Sequence, residues 1–350
     1  MRVLAAGDHF VSPDLMATAL EEEVRADHLP PPETTRLRLP WPVEPFGPVG
    51  GVEEASGTEE EVIEQLRGAE VCMTQMAPVT ATVLEDCPDL RLVSVCRGGP
   101  VNVDLKAATR AGVAVTYAPG RNATAAAEYA IAMILAALRR VPGADAELHA
   151  GRWRGDYYAY DQAGVELRGT TVGLVGYGAI GRMVARILRA FDADVLVSDP
   201  YTEASTAAED GVRLVELEEL LSRCTVVSLH ARLTEQTRNL ISAQRLALLP
   251  RGAVLVNTAR GGLLDHEPLP EALRSGRLGA LALDVHDVEP PPDDWPLRGL
   301  PNVVTTPHLA GATRQTAERA ARIVAAEVGR YQRGEQPRHL ANPEVREVRA

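Results

Sequence analysis

Lysine is almost missing from this chain of 350 residues. Lys106 is the only one, so nearly every positive charge is a guanidinium, and 48 acidic residues against 36 basic ones leave a formal net charge of −12. That balance argues against nucleic acid or an anionic membrane as a partner, since either needs a basic face. A few arginines can still make a pocket locally positive, so a small anionic substrate stays open. Aromatic residues are scarce at 4%, which leaves the core to be built from Ala, Val, Leu and Ile. The four cysteines, Cys72, Cys87, Cys96 and Cys224, show no CxxC spacing and no histidine-rich neighbour. They read as free, reduced thiols of a cytoplasmic protein, and no metal site is expected. No basic region followed by a long apolar run opens the chain, so no signal peptide is read. The most apolar stretch, "AIAMILAAL" (130–138), is far too short to span a bilayer. These features describe a soluble protein with room for about two domains.

What is present is alternation. Short apolar runs trade places with helical patterns, as in βα units built on a parallel sheet. In the first third, strands are expected at 2–6, 70–74, 91–96 and 113–117, with helices near 12–26, 58–67 and 104–111. Residues 28–56, Pro- and Gly-rich, carry no regular period and read as a surface excursion or a flap. One long Ala-rich helical pattern runs over 122–148, broken only by Pro142 and Gly143, and its apolar residues on nearly every side imply burial. A second series follows, with strands at 171–178, 193–199, 225–231, 253–259, 280–285 and 302–306. The last of these, "NVVTT", reads as a buried strand. A helix is expected near 311–333.

One stretch points to a cofactor. "TVGLVGYGAIGRMVARILRAFDADVLVSDPY" holds a strand, then Gly176-Tyr177-Gly178-Ala179-Ile180-Gly181, then a helix, then a second strand ending in Asp199. Gly176 permits the tight turn, Gly178 lets backbone approach a pyrophosphate, and Gly181 lets helix and strand pack closely. The amides of Ala179 and Ile180 would face that pyrophosphate from the helix N-terminus. A carboxylate at Asp199 suits the ribose hydroxyls and repels a 2′-phosphate. Pro200 and Tyr201 follow it rather than arginine, which favours NAD over NADP.

Ligands of an open parallel sheet sit beyond the carboxyl ends of its strands. Arg260 follows the strand of "AVLVNTARGG", Glu289 follows "ALALDVHDVEP", and His308 follows "NVVTTPHLAG". All three leave the sheet at the edge that would hold the dinucleotide. Histidine titrates near neutrality and can give or take a proton, a carboxylate can orient it, and arginine forks to a carboxylate. Together they suit reduction of a 2-keto acid.

In order along the chain, "GRNATAAAEYAIAMIL", "GYGAIG…SDPY", "HARLTEQTRNLI", "NTARGGLLD", "ALDVHDVEP" and "TPHLAG" resemble the D-isomer-specific 2-hydroxyacid dehydrogenase family. The resemblance covers about residues 60–340. It implies an α/β protein with a Rossmann dinucleotide-binding domain and a flavodoxin-like, doubly wound substrate domain that is discontinuous in sequence. Residues 1–121 would form the first part of the substrate domain and 122–310 the NAD-binding domain, with 311–350 returning to the substrate domain. It further implies that Arg260 binds and polarises the substrate, that Glu289 pairs with His308 as the acid/base, and that Thr258, Ala259 and Asp284 line the nicotinamide. Substrate contacts would include the loop at Arg97, Gly98 and Gly99, and a homodimer is usual. The implied reaction is hydride transfer between NAD(H) and C2 of a small 2-hydroxy or 2-keto acid.

Three departures stand out. Arg232 and His286 replace the usual proline and phenylalanine of their motifs. Arg97 stands where glycine is common, either as a second anion site or simply pointing to solvent. Two alternatives remain open: a phosphite- or phosphonate-type dehydrogenase on the same fold, and a non-catalytic NAD(H) sensor resembling the C-terminal-binding corepressors.

Overall fold

The computed structural model describes residues 1–346. It divides into two compact units, Met1–Asn122 with Ala312–Ala350, and Ala123–Gly311.

The first unit holds β1 (Arg2–Gly7), β2 (Glu33–Arg38), β3 (Gly47–Val49), β4 (Val52–Ala55), β5 (Val71–Thr74), β6 (Leu92–Val95) and β7 (Ala114–Tyr117). Five of these form a parallel sheet in the order β2-β1-β5-β6-β7, while β3 and β4 pair as an antiparallel hairpin. Without the hairpin this is the flavodoxin-like order. Side chains alternate between two cores, as the two-residue period of a strand requires. Val3, Val71 and Met73 pack with Leu20 and Val324. Leu4 and Cys72 face Val62, Leu66 and Val83 on the other side. Leu20 belongs to the helix Pro13–Ala26, and Val324 to the helix Arg314–Gln332 that returns late in the chain.

The stretch 28–56 departs from expectation, for it contains β2 and the hairpin. β2 pairs in parallel with β1 from Arg2↔Glu33 to Gly7↔Arg38. Its sequence ETTRLR hides the strand because it is an edge strand with no fully buried position. Pro30, Pro31, Pro32 and Pro40 flank the paired run without interrupting it.

The second unit holds β8 (Thr171–Val175), β9 (Asp194–Ser198), β10 (Arg213–Leu214), β11 (Val226–Leu229), β12 (Ala253–Asn257), β13 (Leu278–Leu283) and β14 (Val303–Thr305). All pairings are parallel, in the order β10-β9-β8-β11-β12-β13-β14. Chain order reverses beside β8, which makes the switch point of a Rossmann sheet. The helix Ala123–Arg139 packs on the helix Ala179–Ala190 and on β12 and β13. Ala130 and Ile134 are wholly buried there.

Two expectations need correction in this unit. The long helical pattern breaks at Arg140, in the left-handed region at φ 54°, and a second helix covers Val141–His149. Pro142 lies in the first turn of that second helix, where its missing N–H costs nothing. Nor is β14 a buried strand. As the edge of the sheet it is half-exposed, which its apolar Val303 and Val304 did not reveal. All four cysteines are buried and unpaired. Among the described residues no helix is long and apolar enough to cross a membrane.

Candidate active site

The glycine turn sits at the carboxyl end of β8, and each glycine has a separate geometric reason. Gly176 has φ +99°, and a Cβ there would lie 2.6 Å from the amide nitrogen of Ala231. At Gly181 a Cβ would come within 2.4 Å of the Gly176 carbonyl oxygen. Gly178 is different, because a Cβ there would meet nothing within 4 Å. That open side is what a pyrophosphate needs to approach the backbone. Gly178 is also the N-cap of the helix Ala179–Ala190, and no side chain caps it. The amides at Ala179 and Ile180 therefore begin the helix with their donors available to an anion. Asp199 follows β9. Its Oδ2 accepts the Tyr177 amide at 2.6 Å and its Oδ1 accepts the Tyr201 amide at 2.8 Å. The carboxylate is thus held against the glycine turn, with further lone pairs for ribose hydroxyls. This arrangement fits a dinucleotide.

His308 and Glu289 come together. His308 Nδ1 lies 2.8 Å from Glu289 Oε2, and the two side chains are 47% and 34% exposed. Glu289 Oε1 accepts the backbone N–H of His286 at 2.9 Å. Half-burial alone would raise the Glu289 carboxyl. The hydrogen bonds from His308 and the His286 amide outweigh it and hold the group below the ordinary carboxylate range. His308 itself sits at φ 55°, a left-handed conformation uncommon for a side chain of its size. Its amide donates to the carbonyls of Asp284 at 2.8 Å and Thr306 at 3.1 Å. With Nδ1 facing Glu289, Nε2 is left for a reacting group.

Asp284, expected along the nicotinamide, has no exposed surface. Its Oδ1 accepts Thr306 Oγ1 at 2.7 Å and the Leu309 amide at 2.8 Å, and its Oδ2 accepts the Ala310 amide at 2.8 Å. These contacts clamp the turn that carries His308. Thr258 is buried and Ala259 half-buried at the end of β12, where Asn257 Oδ1 accepts the Ala259 amide at 3.1 Å. Arg260 is exposed, and among the described residues no carboxylate stands within ion-pair distance of it. Its Nη1 donates to the Ala259 carbonyl at 2.7 Å, which leaves the rest of the guanidinium fork open. Asn257 Nδ2 holds the Arg260 carbonyl at 2.8 Å. Gly261 lets the turn pass close to the backbone of His286, since a Cβ at Gly261 would fall 1.9 Å from the His286 carbonyl oxygen. All three candidate catalytic side chains thus leave one sheet edge on mutually braced turns.

His286 has a share in the site that sequence reasoning did not assign. Its ring Nε2 lies 3.2 Å from the Thr306 carbonyl, the same oxygen that accepts the His308 amide. The ring packs edge-on against Trp295 at 5.1 Å between centroids. The only signal in the sequence was the three-residue spacing to Glu289, which lets a carboxylate turn back onto an upstream amide.

Arg97, in the first unit, does not point to solvent. It donates to Glu54 and to the sulfur of Met76, and its side chain is only 21% exposed. Gly98 and Gly99 beside it are open, with nothing within 4 Å of a Cβ at either.

Known proteins share this fold and much of this sequence. The family model for the NAD binding domain of D-isomer specific 2-hydroxyacid dehydrogenases matches residues 131–310. A D-3-phosphoglycerate dehydrogenase of Methanocaldococcus jannaschii is 38% identical over 84% of the chain, which spans only 56% of that relative's length. A glyoxylate reductase of Korarchaeum cryptofilum is 38% identical over 85% of the chain and 90% of its own length. Among solved structures, a protein of Thermus thermophilus superposes with a TM-score of 0.78 at 34% identity, covering 97% of this chain and all of its own.

Proposed function

Because this chain belongs to the D-isomer specific 2-hydroxyacid dehydrogenase family, whose members are NAD-dependent oxidoreductases, we propose that it interconverts a small D-2-hydroxy acid and the matching 2-keto acid. The observation that carries this reading is the 2.8 Å contact between His308 and Glu289 on the sheet edge that also bears the open glycine turn. A bound NAD would supply the hydride chemistry at C2. The amides at Ala179 and Ile180 would hold its pyrophosphate, and Asp199 would take the ribose hydroxyls and disfavour a 2′-phosphate. Thr258 and Ala259, at the end of β12, would border the nicotinamide.

Arg260 forks to the substrate carboxylate and polarises the neighbouring carbonyl, which its open guanidinium supports. His308 gives a proton to the carbonyl oxygen in reduction and removes it in oxidation. Glu289 keeps Nδ1 protonated and the ring oriented, so that Nε2 does the transfer. The backbone at Gly98 and Gly99 is the remaining substrate-binding element, a role proposed from the family resemblance and supported by its open face.

The test is turnover. Purified protein with NADH should reduce glyoxylate or hydroxypyruvate, and a substrate that gains a stereocentre should give the D product. Tight NADH binding without reduction of any 2-keto acid would instead favour a dinucleotide sensor and overturn the proposal.

A further inference from the structure

We propose that Asp210 is a second determinant of dinucleotide selectivity, because it withholds the guanidinium of Arg182 from a 2′-phosphate. The inference rests on the dinucleotide site at Gly176–Gly181 and on the role proposed for Asp199, and all of its residues lie in the second unit.

Arg182 is the first residue after Gly181, in the opening turn of the helix Ala179–Ala190, and its amide donates to the Gly178 carbonyl at 3.0 Å. That end of a helix favours anions. An arginine so placed, with 51% of its side chain exposed, has the fork of a phosphate ligand. It is committed elsewhere. Its Nε lies 2.9 Å from Asp210 Oδ2, and its Nη2 donates to Asp210 Oδ1 at 3.2 Å. One guanidinium thus engages both oxygens of the carboxylate.

Asp210 is fixed from other directions as well. It follows the helix Ala204–Glu209, where its amide donates to the Thr206 carbonyl at 3.1 Å. Its own carbonyl accepts Arg189 Nη1 at 2.7 Å. The Tyr177 hydroxyl donates to Asp210 Oδ2 at 3.1 Å. Tyr177 is only 4% exposed and packs with Val184, Leu188 and Ala207. Burial first, and then the Asp210 carboxylate, pushes its phenol up to about 12, so the hydroxyl stays a donor at neutral pH. Arg182 in turn holds the Asp210 carboxyl below the ordinary carboxylate range, which keeps it ionised.

Tyr177 therefore links two carboxylates, with its amide on Asp199 Oδ2 at 2.6 Å and its hydroxyl on Asp210. Asp199 repels a 2′-phosphate, and Asp210 denies that phosphate a cation. A ribose that carries only hydroxyls loses nothing by either. Specificity of this kind comes as much from rejecting the wrong ligand as from fitting the right one.

The experiment measures Kd for NADH and NADPH by nicotinamide fluorescence in the wild type, Asp210→Asn, Asp210→Glu, Arg182→Gln and the double variant Asp210→Asn/Arg182→Gln. Both ligands carry the same pyrophosphate, so the ratio of the two constants isolates the 2′-phosphate. The wild type should bind NADH more tightly. Asp210→Asn leaves Tyr177 an acceptor but frees Arg182, and it should narrow the ratio by about tenfold, the worth of one hydrogen bond to a charged group. Asp210→Glu should keep the wild-type ratio. The double variant should return to it, because the released cation is gone; a fold that had only loosened would stay narrowed. A selective wild type whose ratio is unchanged in folded Asp210→Asn, or narrowed equally in the double variant, would overturn the inference and leave Asp199 in its role. Where Asp210→Asn does not fold, Arg182→Gln decides. Its ratio should match the wild type, and a wider one would show that Arg182 already serves the 2′-phosphate and overturn the inference. A wild type that binds both ligands equally would overturn the role of Asp199 and the inference with it.

Discussion

Replacing Glu289 with glutamine should lower kcat for glyoxylate reduction by about tenfold. The perturbation removes a negative charge 2.8 Å from His308 Nδ1 and leaves an amide that still fits the turn and still accepts the His286 amide. Two unit charges about 4 Å apart attract by about 4 kcal/mol at an effective dielectric of 20. That figure overstates the effect here, because the two side chains are 47% and 34% exposed and water screens them. A charge-assisted hydrogen bond at such a site is worth about 1.5 kcal/mol, and about 1.36 kcal/mol corresponds to a factor of ten in rate. The direction for the carboxyl follows from its partners. Against the effect of burial, the hydrogen bonds from His308 and the His286 amide hold Glu289 below the ordinary carboxylate range. It therefore stays ionised at neutral pH, and the contact is lost only as pH falls through that depressed value. The wild type should lose the contribution of the pair on the acid side, whereas Glu289→Gln, which has no carboxyl to protonate, should lack that acid-side loss. Initial rates of NADH consumption with glyoxylate across pH give both the size and the pH dependence. A variant with wild-type kcat and a profile superimposable on wild type would refute the coupling.

Two other substitutions probe the neighbouring roles. Arg260→Lys should lower kcat/KM by about 2–5 kcal/mol of transition-state binding, because an ammonium cannot fork to a carboxylate; unchanged kcat/KM would remove Arg260 from the substrate. Asp199→Ser should narrow the preference for NADH over NADPH, and a wild-type enzyme that used both equally would contradict the role given to this carboxylate.

The parts of the site that were legible in the sequence are those whose geometry is local. Gly176, Gly178, Gly181 and Asp199 all lie in one strand–turn–helix–strand run, so their spacing nearly determines their arrangement. Arg260, Glu289 and His308 were visible because each follows a strand, and parallel strands deliver their ends to one edge. What stayed hidden depends on pairing across the chain. Glu54 and Arg97 are 43 residues apart, and nothing near either names the other. The clamp of Asp284 on the Leu309 and Ala310 amides spans 25 and 26 residues. β2 escaped notice for a different reason, since an edge strand can be polar on both faces and still pair. The half-exposure of β14 was hidden likewise, because valines do not say whether a neighbour covers them.

The central claim is that His308 carries the proton, and one variant tests it most directly. His308→Asn suits the left-handed backbone at φ 55°, which asparagine tolerates better than most residues, so the clamped turn should persist. Such a variant can neither donate nor accept a proton at neutral pH. Measured with glyoxylate, kcat should fall by on the order of 10²–10⁴ while the affinity for NADH, read by fluorescence, stays at the wild-type value. Near-wild-type kcat in a variant that still binds NADH would contradict the account.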